Sequence, residues 1–377
     1  MPNRTLLYCA TDKEVYDVLM SSKQHFSESA LLDLARGRSL ILSAADDREA
    51  LADKLATMNF GYHEIRAIQA VFERAGRGEK TTSFRIKGEL SAAEVKEAAA
   101  AYGAQVGEEE SVVSYGVGPR SVGIDIKYTD TDFSKTRLRQ RQDKEAHIDF
   151  KVEDGYTVVT LPASEKARSV AEGVRTQLNI RREQTFAVEE VDLSDILDPF
   201  LRSKFFTDMI TGLSELRLQN VTRVKVDRAE KVQPIFDDEA PGDEADTDDA
   251  SAEMLGVVRS VALDGEDLLS SREYQSLRQR GFVITSISWS CRRTVSPYQQ
   301  VDFDAGFEQP ALGVGFKYSV KGWCTQKEGE YTKSFRPMPP EEKKRFLDII
   351  EDTAIAVFRN IREEFSAAQG GAGEDGE

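Results

Sequence analysis

The chain has 377 residues and a formal net charge of −16, and 40% of its residues are hydrophobic and 31% charged. This length exceeds the usual size of a single hydrophobic core, so the sequence predicts two or three packed units. It contains neither an apolar run of about 18 residues, which would span a bilayer, nor an apolar secretory signal. These absences exclude an integral membrane protein and predict a cytoplasmic one.

The first 80 residues (1–80) form a predicted helical N-terminal region. Residues 46–58 and 61–75 are two predicted helices that meet at a tight turn. In the second helix, Ile65, Ile68 and Phe72 recur at the spacing that places apolar side chains on one helical face. Such a face predicts packing against the other helices of the region.

Residues 81–183 carry the pattern of a first β-α-β4-α unit. A strand is predicted over 82–87, and Ser91 with Glu94 forms the capping box that opens a helix. Four stretches of alternating apolar and polar residues follow, as in a sheet with one wet face, and then another helix. The four predicted strands are 111–117, 122–129, 147–152 and 156–161, and the helix is 164–178.

Residues 184–235 are predicted to connect this unit to the rest through a helix that begins at Pro199 and a strand over 216–226. Residues 236–253 and 366–377 contain few apolar residues, and all of their charged residues are acidic. Segments of this composition bury too little apolar surface to offset the loss of chain entropy on folding. The sequence therefore predicts an acidic disordered linker and an acidic disordered tail.

Residues 254–365 repeat the same order of elements and form a predicted second β-α-β4-α unit. Its final helix is predicted over 341–365, after a proline-rich stop. Corresponding features of the two units lie about 175 residues apart: Tyr156 matches Tyr331, and Pro162 matches Pro337. Agreement of order and spacing together indicates an internal duplication.

The predicted fold class is therefore α+β, with the helical region followed by a duplicated unit of antiparallel strands backed by helices. The element order over residues 82–365 resembles the TATA-binding-protein-like fold, in which two such units form one curved sheet whose concave face meets DNA. It is also similar to a helix-grip fold, in which a long C-terminal helix closes a ligand cavity. Both resemblances concern element order alone and carry over no binding residues.

Few residues offer catalytic or metal-binding chemistry. The three cysteines and three histidines lack the spacings of a zinc site, and no phosphate-binding loop, dinucleotide fingerprint or nucleophile elbow is present. We therefore predict no catalytic residue, no cofactor and no zinc site. Cys291 and Cys324 are predicted to be buried thiols, unless adjacent strands join them, and His147 to be structural. An alternative is a Mg²⁺ site on carboxylates from neighbouring strands, drawn from Asp125, Asp130, Asp132 and Asp149.

The strongest local feature is a basic stretch between two predicted hairpin strands. Residues 135–144 carry five positive charges and one negative charge. If the strand continues through this stretch, alternate arginines point to one side and can bind phosphates bidentately. The alternative is a solvated hairpin whose arginines pair with Asp130, Asp132 and Glu145. The predicted nucleic-acid-binding residues are Lys135, Arg137, Arg139, Arg141 and Lys144.

These features predict a non-enzymatic binding or adaptor protein associated with nucleic acid, or with a protein partner in a nucleic-acid-handling complex, and not with membranes. A helix-grip module that binds a small apolar ligand is one alternative, and a metal-dependent hydrolase is another. Salt-dependent retention on nucleic acid distinguishes the first function. Ligand-dependent melting distinguishes the second, and turnover that requires Mg²⁺ or Mn²⁺ the third.

Overall fold

A computed structural model describes residues 9–73, 79–106, 110–228, 260–265, 267–296, 298–324, 326–327, 330–332 and 335–371 of the protein. None of the helices in these residues combines the length and the apolar content that crossing a bilayer requires. The α-helices of the described residues are α1 (Asp12–Met20), α2 (Glu28–Gly37), α3 (Arg48–Ala56), α4 (Tyr62–Glu73), α5 (Ala92–Gln105), α6 (Glu165–Arg182), α7 (Pro199–Thr211), α8 (Arg272–Gln279) and α9 (Pro340–Gly371).

The strands pair in antiparallel fashion throughout the described residues, and together with the helices they confirm the predicted α+β class. Two very short strands, Gln326–Lys327 and Glu330–Tyr331, form a two-stranded sheet of their own. The strands are β1 (Thr81–Lys87), β2 (Glu110–Gly118), β3 (Ser121–Thr131), β4 (Arg141–Glu153), β5 (Tyr156–Pro162), β6 (Val188–Glu189), β7 (Leu216–Arg228), β8 (Ser260–Asp264), β9 (Phe282–Arg293), β10 (Gln300–Gln309), β11 (Val314–Cys324), β12 (Gln326–Lys327) and β13 (Glu330–Tyr331).

The first compact unit draws its described residues from Met1–Arg77, Leu90–Val152 and Ser164–Thr185. Its N-terminal helices α1 to α4 bury an apolar core that includes Leu31 and Leu51, as the helical patterns predict. Strands β2, β3 and β4 are neighbours in that order, and helices α5 and α6 pack on one another. The unit therefore combines a small helical bundle with antiparallel strands.

The second compact unit draws its described residues from Gly78–Glu89, Glu153–Ala163 and Phe186–Glu377. Its strands run in the order β5-β1-β11-β10-β9-β7-β8, and β6 also pairs with β1. Aromatic side chains dominate the core, to which α7 and α9 both contribute. The largest fully buried ones are Trp289, Tyr318, Phe205, Phe206, Phe303 and Phe346.

Several local signals in the sequence are confirmed. Ser91 and Glu94 form the reciprocal capping box at the start of α5, and Pro199 occupies the first turn of α7. These positions suit their residues, because a serine oxygen accepts an otherwise unpaired N–H and proline lacks the N–H that a first turn leaves unpaired. The final helix continues to Gly371, beyond its predicted end at residue 365.

The internal duplication is not confirmed, because equivalent strands have different partners. The first strand of the first predicted unit, β1, pairs along its whole length with β5, the strand before α6. The first strand of the second predicted unit, β8, pairs instead with β7. The predicted acidic linker, residues 236–253, lies outside the described residues, as do residues 372–377 of the predicted tail.

A buried ion pair ties α9 to β1 in the second unit. Arg85 donates from Nε to Glu351 Oε1 and from Nη2 to Glu351 Oε2, both at 2.8 Å, and the two side chains are each only 5% exposed. Arg85 Nη2 also lies 2.7 Å from Asp352 Oδ1. Burial works against the charge, but the hydrogen bonds and charge of Glu351 outweigh it and raise the pKa of Arg85. Burial raises the pKa of Glu351, and the hydrogen bond and charge of Arg85 oppose that rise. The two parallel hydrogen bonds are those of a guanidinium with a carboxylate, so each group meets its partner inside the core.

Replacing one partner of this pair should be costly, because the other charge would be left buried without compensation. We expect Arg85→Met to lower the free energy of unfolding by about 3–5 kcal/mol in urea denaturation. Arg85→Met combined with Glu351→Leu should cost clearly less, since two apolar side chains of similar size leave no buried charge. Arg359→Met, which breaks the more exposed pair with Glu189, is the control and should cost at most about 1 kcal/mol. A double variant as unstable as the single one would contradict this account.

Candidate functional site

The predicted nucleic-acid-binding residues lie at the end of the hairpin formed by β3 and β4. We call residues 132–144 the basic loop. The strand does not continue through it, because Arg137–Arg139 form a 3₁₀-helical turn and β4 begins at Arg141. Leu138 accounts for the turn, since its side chain is buried in the core of helices α1 to α4. Successive side chains of such a turn point about 120° apart, so the predicted row of arginines on one strand face is wrong.

Arg137 pairs with a carboxylate that the sequence did not indicate. Its Nη1 donates to Glu14 Oε1 of α1 at 2.6 Å, and this hydrogen bond raises the pKa of Arg137. Glu145, one of the predicted partners of the basic stretch, lies instead 2.7 Å from the ammonium group of Lys127 on β3. The basic loop is thus attached to the helical bundle by one exposed ion pair and by the buried Leu138.

The other two carboxylates of that alternative pair with lysines of the basic loop, and not with its arginines as predicted. Lys144 Nζ donates to Asp130 Oδ2 at 2.6 Å, and Lys135 Nζ lies 3.7 Å from Asp132 Oδ2. All four side chains are close to half exposed. Exposed pairs of this kind contribute only about 0–1 kcal/mol each, so another anion can displace the carboxylates at little cost to the fold.

The basic loop also presents an aromatic ring that the sequence reading did not single out. Phe133 is 82% exposed and lies in the turn that follows β3, two residues before Lys135. Leaving a phenylalanine ring in water forgoes about 1.5–3 kcal/mol of burial free energy. An exposed aromatic ring among cations is the arrangement that stacks on unpaired bases while holding phosphates. The signal in the sequence is a single aromatic residue within a polar loop.

A second polar cluster lies on the exposed face of β2, β3 and β4, where sequence reading saw a solitary histidine. His147 stands directly opposite Asp125 in the strand register, and its Nδ1 lies 2.7 Å from Asp125 Oδ1. Its Nε2 lies 3.4 Å from Asp149 Oδ1, and the ring of Tyr115 stacks on it at a centroid distance of 6.1 Å. Gly123 leaves the space for both rings, because an added Cβ would lie 2.9 Å from Tyr115 and 3.0 Å from His147.

This cluster raises the pKa of its histidine. The hydrogen bond with Asp149 is the main cause, burial opposes it, and the hydrogen bond with Asp125 adds to the rise. Tyr115 donates its hydroxyl to Asp125 Oδ1 at 3.2 Å, and burial together with that carboxylate raises the tyrosine pKa as well. The cluster therefore favours a protonated imidazole held between two carboxylates.

The metal-dependent alternative finds no support in this geometry. Asp130 and Asp132 face lysines of the basic loop, whereas Asp125 and Asp149 face His147. Within the described parts of the chain, no three or more His, Cys, Asp or Glu side chains are grouped to hold a metal ion. The four carboxylates proposed for Mg²⁺ thus divide into separate pairs.

The second unit has its own polar cluster, on β9, β10 and β11. Asp304 accepts a hydrogen bond from the hydroxyl of Ser288 at 2.7 Å and pairs with Lys80 and, at 3.8 Å, with Lys321. Nearby, burial raises the pKa of Asp302 to about 6, although Lys321 opposes the rise. Asp302 can therefore exchange a proton near neutral pH, a property that its position in an alternating strand did not reveal.

The apolar-ligand alternative depends on the space between the final helix and the sheet of the second unit. In the described residues, Phe346 and Ile350 of α9 pack there among the core side chains, and Phe303 meets Phe346 at a centroid distance of 6.0 Å. This packing favours a structural role for the helix over closure of a ligand cavity. Cys291 and Cys324 are buried and are not joined by a disulfide, which confirms the prediction of buried thiols.

Comparison with known proteins gives no relative from which a function can be transferred. No known protein family matches the chain, and no curated protein is significantly similar to it. Function is therefore inferred from the residues of the chain and their geometry.

The stability of the first unit should depend on pH through His147. Because its pKa is raised in the folded state, the protonated imidazole stabilises the fold below the unfolded pKa of about 6.5, and this contribution disappears as the pH rises through the folded pKa. At about pH 6 we expect His147→Gln to have a lower melting temperature than the wild type. The loss in the free energy of unfolding should be less than about 1 kcal/mol, because the site is half exposed. The difference should shrink near pH 9. A difference independent of pH would show that ring packing against Tyr115, and not charge, is what matters.

Proposed function

We propose that the protein is a non-enzymatic binding or adaptor protein that contacts nucleic acid, or a complex that contains it, through the basic loop. The observation that carries this proposal is the 82% exposure of Phe133 in a loop that contains five cationic side chains. Unpaired bases stack on such a ring whatever their identity, and the cations provide contacts to the backbone phosphates. Single-stranded nucleic acid therefore fits this loop better than a duplex, whose bases are already stacked.

The carboxylates around the loop support a weak and salt-sensitive interaction. Asp130, Asp132 and Glu14 each neutralise one cation in the unbound protein, and a phosphate must replace them. The replacement is feasible because exposed ion pairs contribute little to stability. Arg141 is exposed at the first position of β4 and is placed to make the first phosphate contact. The element order that resembles the TATA-binding-protein-like fold is part of the same proposal and points to the same class of partner.

Charge in the basic loop should control the salt dependence of binding. Replacing Arg137, Arg139 and Arg141 together by Gln should weaken binding to a single-stranded oligonucleotide. It should also lower the salt slope, which is the steepness with which the logarithm of the binding constant falls with the logarithm of salt concentration, by roughly one unit for each lost phosphate contact. Glu14→Gln should have the opposite effect at low salt, because Arg137 loses its neutralising partner while Gln preserves the capping box of α1. Filter binding or anisotropy over a range of salt concentrations measures both effects.

The control for this experiment removes three exposed positive charges from the second unit instead: Arg223→Gln, Lys225→Gln and Arg345→Gln. It should bind like the wild type. An unchanged affinity and slope in the loop variant would reject the loop as the contact. A collapse of its melting temperature would show that the arginines hold the fold through the neighbouring carboxylates.

Phe133 should contribute to affinity without contributing to the salt slope, because stacking releases no counterions. We expect Phe133→Ala to lose about 1–3 kcal/mol of binding free energy for a single-stranded oligonucleotide, with the slope unchanged. Phe133→Tyr, which keeps the ring, should bind like the wild type. Melting temperatures should stay equal, since the exposed ring adds little to the core. Equal binding by the Ala and Tyr variants would rule out stacking at this position.

A further inference from the structure

Strand β2 presents an apolar row on the exposed face of the first unit. Val113 is 55% exposed and Tyr115 39%, and their spacing of two residues places them on the same side of the strand. Val117, which is 53% exposed, follows where the register of the strand shifts. Tyr115 is held in place by its hydrogen bond to Asp125. An ordered apolar row on a protein surface indicates an interface. Because its hydrogen bond already orders Tyr115, the side chain of this residue loses little further entropy when a partner binds.

The same strand has an open edge. β2 pairs with β3 on one side, and no other strand of the described chain pairs with it. Its sequence contains neither lysine nor proline, the residues with which sheet edges are usually protected against pairing. The backbone groups along this edge are therefore available to another strand.

We propose that the strand that covers this edge is β2 of a second copy of the chain, paired antiparallel about a twofold axis at Val113. The strand is regular from Glu110 to Gly116, and a bulge follows between Gly116 and Gly118. The midpoint of the regular part is Val113, so a symmetric pairing uses all of it. Each Ser111 then faces a Tyr115, and the two Val113 side chains meet at the axis, which extends the apolar row across the two copies.

Charge complementarity supports this register. About the same axis, Glu110 of one copy lies opposite Gly116 of the other. Gly116 has the ammonium group of Lys96 beside it, because an added Cβ would lie 2.8 Å from Lys96 Nζ. Glu110 already pairs with Lys166 of its own unit, and Lys96 of the other copy adds a second base on that side. The residues from Ser111 to Gly116 carry no charge, so the paired strands oppose no like charges of their own.

This inference is independent of the proposed contact with nucleic acid, because it concerns the edge of β2 and its test contains no nucleic acid. Disulfide formation tests the register in the full chain with Cys9→Ser, since Cys291 and Cys324 are buried. Val113→Cys should form an intermolecular disulfide under mild oxidation, because directly opposed residues of antiparallel strands have Cα atoms about 4.5–5.5 Å apart. Val117→Cys is equally exposed but should not form one, since the two copies of this residue would lie roughly 25 Å apart.

Sedimentation equilibrium tests the interface itself. We expect the wild type to dimerise and Val113→Lys to weaken dimerisation by about tenfold or more, because two lysines would meet at the axis. Val117→Lys adds the same charge at the bulge, outside the regular part of the strand, and should dimerise like the wild type. Equal melting temperatures of the two variants show that both fold. A monomeric wild type at its highest soluble concentration, or crosslinking that is equal at the two positions, would overturn the proposal.

Discussion

The ion pair between Arg85 and Glu351 is the constraint on which the second unit depends. A guanidinium group keeps its charge inside a core, so a carboxylate must meet it there, and Glu351 of α9 supplies the buried one. Its bidentate geometry fixes both the rotation of the helix and its position along the axis. Phe346 of the same helix packs among the aromatic side chains of the core, so the ion pair and the apolar contacts both hold α9.

The first unit distributes its charges in the opposite way. Its ion pairs at Glu14, Asp130 and Asp132 are exposed, with several near half exposure, and the fold loses little when they break. The ion pairs of the basic loop therefore contribute little to stability, whereas the buried pair of Arg85 and Glu351 in the second unit holds structure. In the second unit, burial also raises the pKa of Asp302 to about 6, so this carboxyl group titrates just below neutral pH.

Local signals identified most helices and strands, because capping boxes, proline stops and alternation act over a few residues, as at Ser91 and Pro199. The partners of distant strands cannot be predicted from such signals. The alternation of apolar and polar residues in β8 does not show whether this strand pairs with β7 or with a strand of its own predicted unit. Alternation in the basic loop predicts an extended strand, and this conformation is wrong. Alternation predicts that Leu138 is one position of this strand. Its side chain is instead buried among helices that lie more than 60 positions away in the sequence, and the chain turns there.

Leu138 makes the basic loop part of the folding equilibrium of the helical bundle. Its side chain completes the core of α1 to α4, and its carbonyl accepts a hydrogen bond from Gln69 of α4 at 3.0 Å. By thermodynamic linkage, a ligand that orders the loop must stabilise the bundle to the same extent that the folded bundle strengthens the binding. Amide protons in the helices, far from any phosphate, would thus exchange more slowly in the complex, and loosening the bundle would weaken recognition without altering any contacting residue.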